Sequence, residues 1–157
     1  AGCIPIVGYN MGAGKKTRVK QGLTYALCTS VAYCILVSLL LWFLAGQLMG
    51  AFVDSAEQRI IMEGVRYLHI EGAFYCGIGC LFLLYGLYRA MGRPGISVVL
   101  TVISLGTRVL LSYTLSRIPD VGVLGIWWSI PIGWALADFS GLLYFAIKKD
   151  TLLCGTV

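Results

Sequence analysis

The sequence is poor in charge. Asp, Glu, Lys and Arg make up 12% of its 157 residues, where soluble domains carry roughly a quarter, so an ordinary water-soluble globular domain is excluded. Disorder is excluded as well, because 59% of the residues are apolar and 12% aromatic, leaving ample surface to bury and few charges to keep it solvated. The chain has a single histidine, His69, and its six cysteines include no Cys-x-x-Cys pair and no Cys/His cluster, so no metal site is expected. Cys28, Cys34, Cys76 and Cys80 lie inside apolar runs and read as small buried thiols. No Ser/His or paired-Asp constellation is present, which argues against an intramembrane enzyme. Gly12-Ala13-Gly14-Lys15-Lys16-Thr17 lacks the GxxxxGK[ST] spacing of a phosphate-binding loop, and a tight turn holding basic side chains near anionic headgroups accounts for it.

What the chain does have is apolar sequence of membrane-spanning length. No charge interrupts Gln21 to Val53, a run of about 33 residues where roughly 20 suffice to cross the hydrocarbon core. The expected fold class is an all-α polytopic membrane helix bundle, with four complete spans over about 22–46, 64–89, 96–116 and 124–147. An apolar stub at 1–9 precedes them and a tail at 148–157 follows, while 47–63 is polar enough for a loop with a short interfacial helix. Pro94 stands at the entrance of the third span, where a missing N–H costs least. The stub has no initiator Met, basic leader or cleavage site; it reads as the end of an earlier helix, and the chain as a fragment of a longer one.

The net charge of +5 follows topology. Lys15, Lys16, Arg18, Lys20, Arg89, Arg93, Lys148 and Lys149 fall on one side of the four spans, and Asp54, Glu57, Glu63 and Asp120 on the other. The first loop and the C-terminus are therefore expected in the cytoplasm, and the positive charge calls for no nucleic-acid partner.

Ionisable side chains deep in a span each need a partner, a water-filled cavity or a function, since insertion costs about 2.5 to 3.5 kcal/mol or more. Glu71, Arg108 and Asp138 qualify. At a rise of ~1.5 Å per residue, Arg108 lies ~12 Å and Glu71 ~10 Å from the outer ends of their helices, so a Glu71–Arg108 ion pair is the first expectation. Asp138 is either a second partner of Arg108 or a free, titratable carboxylate. An ion pair between helices that only fixes packing is the plainer reading of these residues. Among the aromatics inside the spans, Tyr75 and Trp134 are candidates to face a transport path, because an organic cation can rest on an aromatic face; Phe74 and Tyr113 also lie well inside. Trp127 and Trp128 read as belt residues at the interface. Gly133, Ala137 and Gly141, and likewise Ala73 and Gly77, recur at four-residue spacing and predict close helix approach, while Pro131 predicts a kink in the last span.

Three segments then resemble a known family. Ile4-Pro5-Ile6-Val7-Gly8-Tyr9-Asn10-Met11-Gly12-Ala13-Gly14-Lys15 with Arg18, the stretch from Tyr67-Leu68 through Phe74-Tyr75 to Gly86-Leu87-Tyr88-Arg89-Ala90-Met91-Gly92-Arg93-Pro94, and Gly125-Ile126-Trp127-Trp128-Ser129-Ile130-Pro131-Ile132-Gly133-Trp134 are similar, in that order and spacing, to multidrug and toxic compound extrusion (MATE) transporters. The resemblance covers the end of the eighth helix through the twelfth, in the C-terminal six-helix lobe. It implies a secondary antiporter of the cell membrane that exports amphipathic organic cations or drugs in exchange for Na⁺ or H⁺, by alternating access, without a bound cofactor. It also implies an N-terminal lobe of the same chain as partner, and it places Ile78 where some members carry a tenth-helix carboxylate. A lipid-linked precursor flippase of the same superfamily would be expected to line its cavity with several basic residues, whereas Arg108 alone lies deep in a span. A non-transporting membrane scaffold would tolerate neutralisation of Glu71, Arg108 and Asp138 together.

Overall fold

The computed structural model describes the backbone of residues 3–54 and 56–153, and the side chains of 5–15, 17–54 and 56–148. Residues 1–2 of the stub, residues 154–157 of the tail, and the side chains of Lys16 and Lys149 in the charge count lie outside the described residues. The described chain is all helical: α1 (Cys3–Gly12), α2 (Lys16–Phe52), α3 (Gln58–Ala73), α4 (Tyr75–Ala90), α5 (Pro94–Leu115) and α6 (Gly122–Leu153). Among the described residues, three helices, over Thr17–Phe52, Pro94–Leu115 and Gly122–Lys148, are long and apolar enough to cross a membrane alone, and α3 with α4 forms a bent pair that makes a fourth when counted as one span.

Two left-handed glycines shape the ends that carry the basic loops. Gly14 (φ 67°) ends α1 with Lys15 N–H donating to Asn10 C=O at 2.9 Å and Gly14 N–H to Met11 C=O at 2.9 Å. Gly92 (φ 69°) ends α4 in the same way, through Arg93 N–H to Tyr88 C=O at 2.9 Å and Gly92 N–H to Arg89 C=O at 3.1 Å. This paired bonding satisfies the last carbonyls of a helix and needs a residue without a Cβ at the left-handed position. Pro94 then opens α5 at a position where its missing N–H is no loss.

Two boundaries differ from the expectation. α2 continues through Phe52 and α3 starts at Gln58, so most of 47–63 is helix and the connection is a short turn; the polar residues there sit on helix ends that water can reach. The span expected as one helix over 64–89 is broken at Phe74, with a bend of 48°. No proline sits at the break. Phe74 leaves the helical region (φ −105°, ψ 13°), and the Ser38 hydroxyl of α2 donates to Gly72 C=O at 2.6 Å. An outside donor on a helix carbonyl is a recognised cause of a sharp bend. α6 runs unbroken through Pro131.

α4 is the hub, packed on α1, α2, α3, α5 and α6, while α5 and α6 lie along each other as the most intimate pair. The core holds Leu81, Leu84 and Tyr88 from α4, Leu100 from α5, and Trp134 and Ala137 from α6. Gly133, Ala137 and Gly141 are all buried, as their spacing predicts. A Cβ on Gly141 would meet Leu84 and Leu100, and the Tyr88 hydroxyl donates to its carbonyl at 2.5 Å. A second cluster of Val7, Val19 and Leu87 ties α1 and α2 to the end of α4. Ala73 is exposed, so only Gly77 of that pair packs. Cys34 is buried and Cys80 half-buried, but Cys28 and Cys76 lie on the outer surface, contrary to the expectation for all four thiols. Lipid is as apolar as the core, so apolar context does not separate the two faces of a spanning helix.

Candidate functional site

Glu71 sits in the last turn of α3, three residues before the break. It is half-buried, and its Oε1 is enclosed without a hydrogen-bond partner. Tyr67, four residues earlier on the same helix face, brings its hydroxyl to the carboxylate as a donor. The charge of Arg108, on α5, acts on both Glu71 and Tyr67. The expected contact ion pair is not formed: among the described residues, no approach of 4.0 Å or less joins Arg108 to Glu71. α3 packs on α2, α4 and α6, and α5 on α4 and α6, so the helices that carry the two side chains share α4 and α6 as neighbours. The Arg108 stem is seated over Gly133 of α6, where a Cβ would stand 2.6 Å from Arg108 Cγ. Arg108 and Glu71 therefore attract at longer range.

Asp138 forms a separate locus. It is 9% exposed, its Oδ1 is enclosed without a partner, and the Cys80 thiol of α4 donates to its carboxylate. Gly77 of α4 lies beside it, where a Cβ would meet Asp138 Oδ2 at 3.9 Å and Trp134 Cβ at 3.6 Å in ordinary contact. Arg108 is not among the groups acting on Asp138, so the structure joins Arg108 to Glu71 and leaves Asp138 between α4 and α6.

The aromatic candidates divide. Trp134 is 5% exposed and belongs to the α4–α6 core. Tyr75 is half-buried and begins α4, on the far side of the bend from Glu71. Tyr113 is 69% exposed on the outer face of α5. Trp127 packs on Tyr67 with ring centroids 5.8 Å apart, and Trp128 meets Phe74 edge-on at 5.4 Å. Both tryptophans thus brace the Glu71 segment in addition to lying near the span's end. His69 is turned to α2, stacked on Trp42 at 4.4 Å with its Nε2 3.2 Å from Trp42 C=O.

Three features had no role in the sequence reading. Tyr67 is one, and its place four residues before Glu71 was the available signal. Cys80 is another, and nothing local pairs it with Asp138 across 58 positions. The third is a polar stripe on α5, Ser97, Thr101, Ser104, Arg108 and Ser112, whose steps of three and four residues mark one helix face. Its last member bonds Ser129 Oγ of α6 at 2.8 Å, and Ser129 also donates to Ile126 C=O at 2.6 Å.

Comparison with known families decides the wider assignment. The sequence model of the MatE family matches residues 1–114, most of the chain. The chain belongs to the MatE family. No curated protein and no solved structure gave a match. MatE membership makes this the membrane-spanning part of a MATE-type efflux transporter, a class whose members are typically not enzymes and act on small molecules.

Proposed function

We propose that this chain is part of a secondary antiporter that exports amphipathic organic cations in exchange for H⁺ or Na⁺, with Glu71 as the exchanging carboxylate of this lobe and Arg108 as the charge that sets its balance. The observation that supports this reading most is an enclosed Glu71 oxygen with no partner beside a guanidinium that attracts without capping it. A carboxylate in that setting changes charge with the arrival or loss of a single cation, and its energy then depends on how far α5 stands from α3. Asp138 is the second candidate, held between α4 and α6. In this reading the basic loops lie in the cytoplasm, the cell membrane is the site of action, and an N-terminal lobe completes the cleft.

The test is efflux of a fluorescent organic cation from vesicles carrying the intact transporter, driven by an imposed H⁺ or Na⁺ gradient. Glu71→Gln is expected to abolish gradient-driven efflux while the folded protein stays abundant. Normal efflux by that variant would remove Glu71 from the mechanism.

A further inference from the structure

A cavity of about 460 Å³ opens at the α2–α3 end of the bundle, between Met49 of α2, Arg59, Ile60, Glu63 and Tyr67 of α3, and Trp127 of α6. Tyr67 lines this cavity, and its hydroxyl donates to the Glu71 carboxylate, whose Oε1 is enclosed without a hydrogen-bond partner. From cavity mouth to carboxylate the polar groups run along one face of α3, as Arg59, Glu63, Tyr67 and Glu71 recur every four residues. Trp127 holds the Tyr67 ring from the other side, at 5.8 Å between centroids and 58° between planes.

We propose that this cavity is the access route by which Glu71 exchanges protons or small cations with the α2–α3 side of the membrane, and that Tyr67 is the positioning residue at its inner end. This rests on the reading of Glu71 as the exchanging carboxylate. The groups that act on Glu71 are Tyr67 from its own helix and Arg108 from α5. Of the other ionisable groups nearby, Asp138 on α6 is engaged with Cys80, and His69 is turned to Trp42 of α2. Tyr67 is therefore the one group that both touches Glu71 and reaches the open cavity. Its hydroxyl donates to the charged carboxylate, and rotation of the ring from under Trp127 opens the route.

The experiment uses the intact transporter in sealed vesicles and two carbodiimides, which modify protonated carboxylic acids: a water-soluble cationic one added to one side at a time, and a lipid-soluble one. Labelling of Glu71 is read by mass spectrometry across pH. Wild type is expected to label with the water-soluble reagent added on the α2–α3 side. Ile60→Trp, which fills the mouth, is expected to slow that labelling several-fold and leave labelling by the lipid-soluble reagent unchanged. Tyr67→Phe, which keeps the ring, is expected to move the labelling midpoint toward higher pH by at least about half a unit, because the carboxylate loses a donor that favours its charged form. Where Ile60→Trp fails to fold, Ile60→Cys is blocked after folding by an impermeant cationic thiol reagent, with wild type treated alike as control. No labelling from the α2–α3 side, or wild-type labelling rates and midpoint in the blocked-mouth and Tyr67→Phe variants, would overturn the proposal. If Glu71→Gln abolishes efflux while these variants behave as wild type, only the access route fails; if Glu71→Gln transports normally, the functional reading beneath it fails.

Discussion

The seat of Arg108 on Gly133 gives the most quantitative test of the packing. A Cβ on Gly133 would stand 2.6 Å from Arg108 Cγ and 2.8 Å from Ser104 O, and the latter is backbone, which cannot swing aside. Unstrained non-bonded carbon contacts begin near 3.5 Å, so α5 must back away from α6 by roughly 0.5 to 1 Å. Overpacking of this kind costs about 1 to 3 kcal/mol. Gly77→Ala is the matched control, since its Cβ would meet Trp134 Cβ at 3.6 Å, an ordinary contact. Both substitutions share the same gain in helix propensity, so their difference isolates the steric term at about 1 to 3 kcal/mol. Thermal inactivation of the intact transporter in detergent, followed by the loss of its monodisperse chromatographic peak, measures that difference. Gly133→Ala is expected to inactivate at a clearly lower temperature than Gly77→Ala and to transport more slowly, because the same displacement carries Arg108 away from Glu71. A Gly133→Ala protein as stable as Gly77→Ala would refute the close approach of α5 and α6 at this point.

Ser38→Ala removes the hydroxyl that holds Gly72 C=O at 2.6 Å, and is expected to cost about 0.5 to 1.5 kcal/mol and to speed hydrogen exchange at the amides following Phe74. Unchanged exchange there would mean that the bend does not depend on α2. Trp134→Ala is expected to destabilise by about 3 to 5 kcal/mol through loss of core volume, with Trp134→Phe largely restoring stability and leaving substrate preference as in wild type. A change of substrate preference in a stable Trp134→Phe protein would place that ring on the transport path instead.

The candidate spans were legible because membrane-length apolar runs are a strong signal: the uncharged stretch from Gln21 to Val53 lies in α2 up to its last residue, Phe52, and Pro94 marks the start of α5. The ends were less so, since helix continues past the hydrocarbon core into water without any change in backbone bonding, as α2 does to Phe52. The break at Phe74 was hidden because its cause is tertiary. Gly72 reads like any other glycine until the Ser38 hydroxyl of a distant helix reaches its carbonyl. Depth matching along helices brought Glu71 and Arg108 to one locus, but it carries no information on lateral distance. Cys28 and Cys76 were misplaced because, where lipid and core are equally apolar, hydropathy does not say which way a residue points. Asp138 stood out as a lone carboxylate, whereas its partner Cys80 became visible only once α4 and α6 were side by side.

The most direct measurement is a pair of assays on one protein: binding of the organic cation and gradient-driven efflux, both in the Glu71→Gln variant of the intact transporter. The account predicts wild-type binding with efflux reduced to the level of empty vesicles, since the cleft remains while the exchanging charge is gone. Gradient-driven efflux at the wild-type rate, with Glu71 neutral throughout, would contradict it.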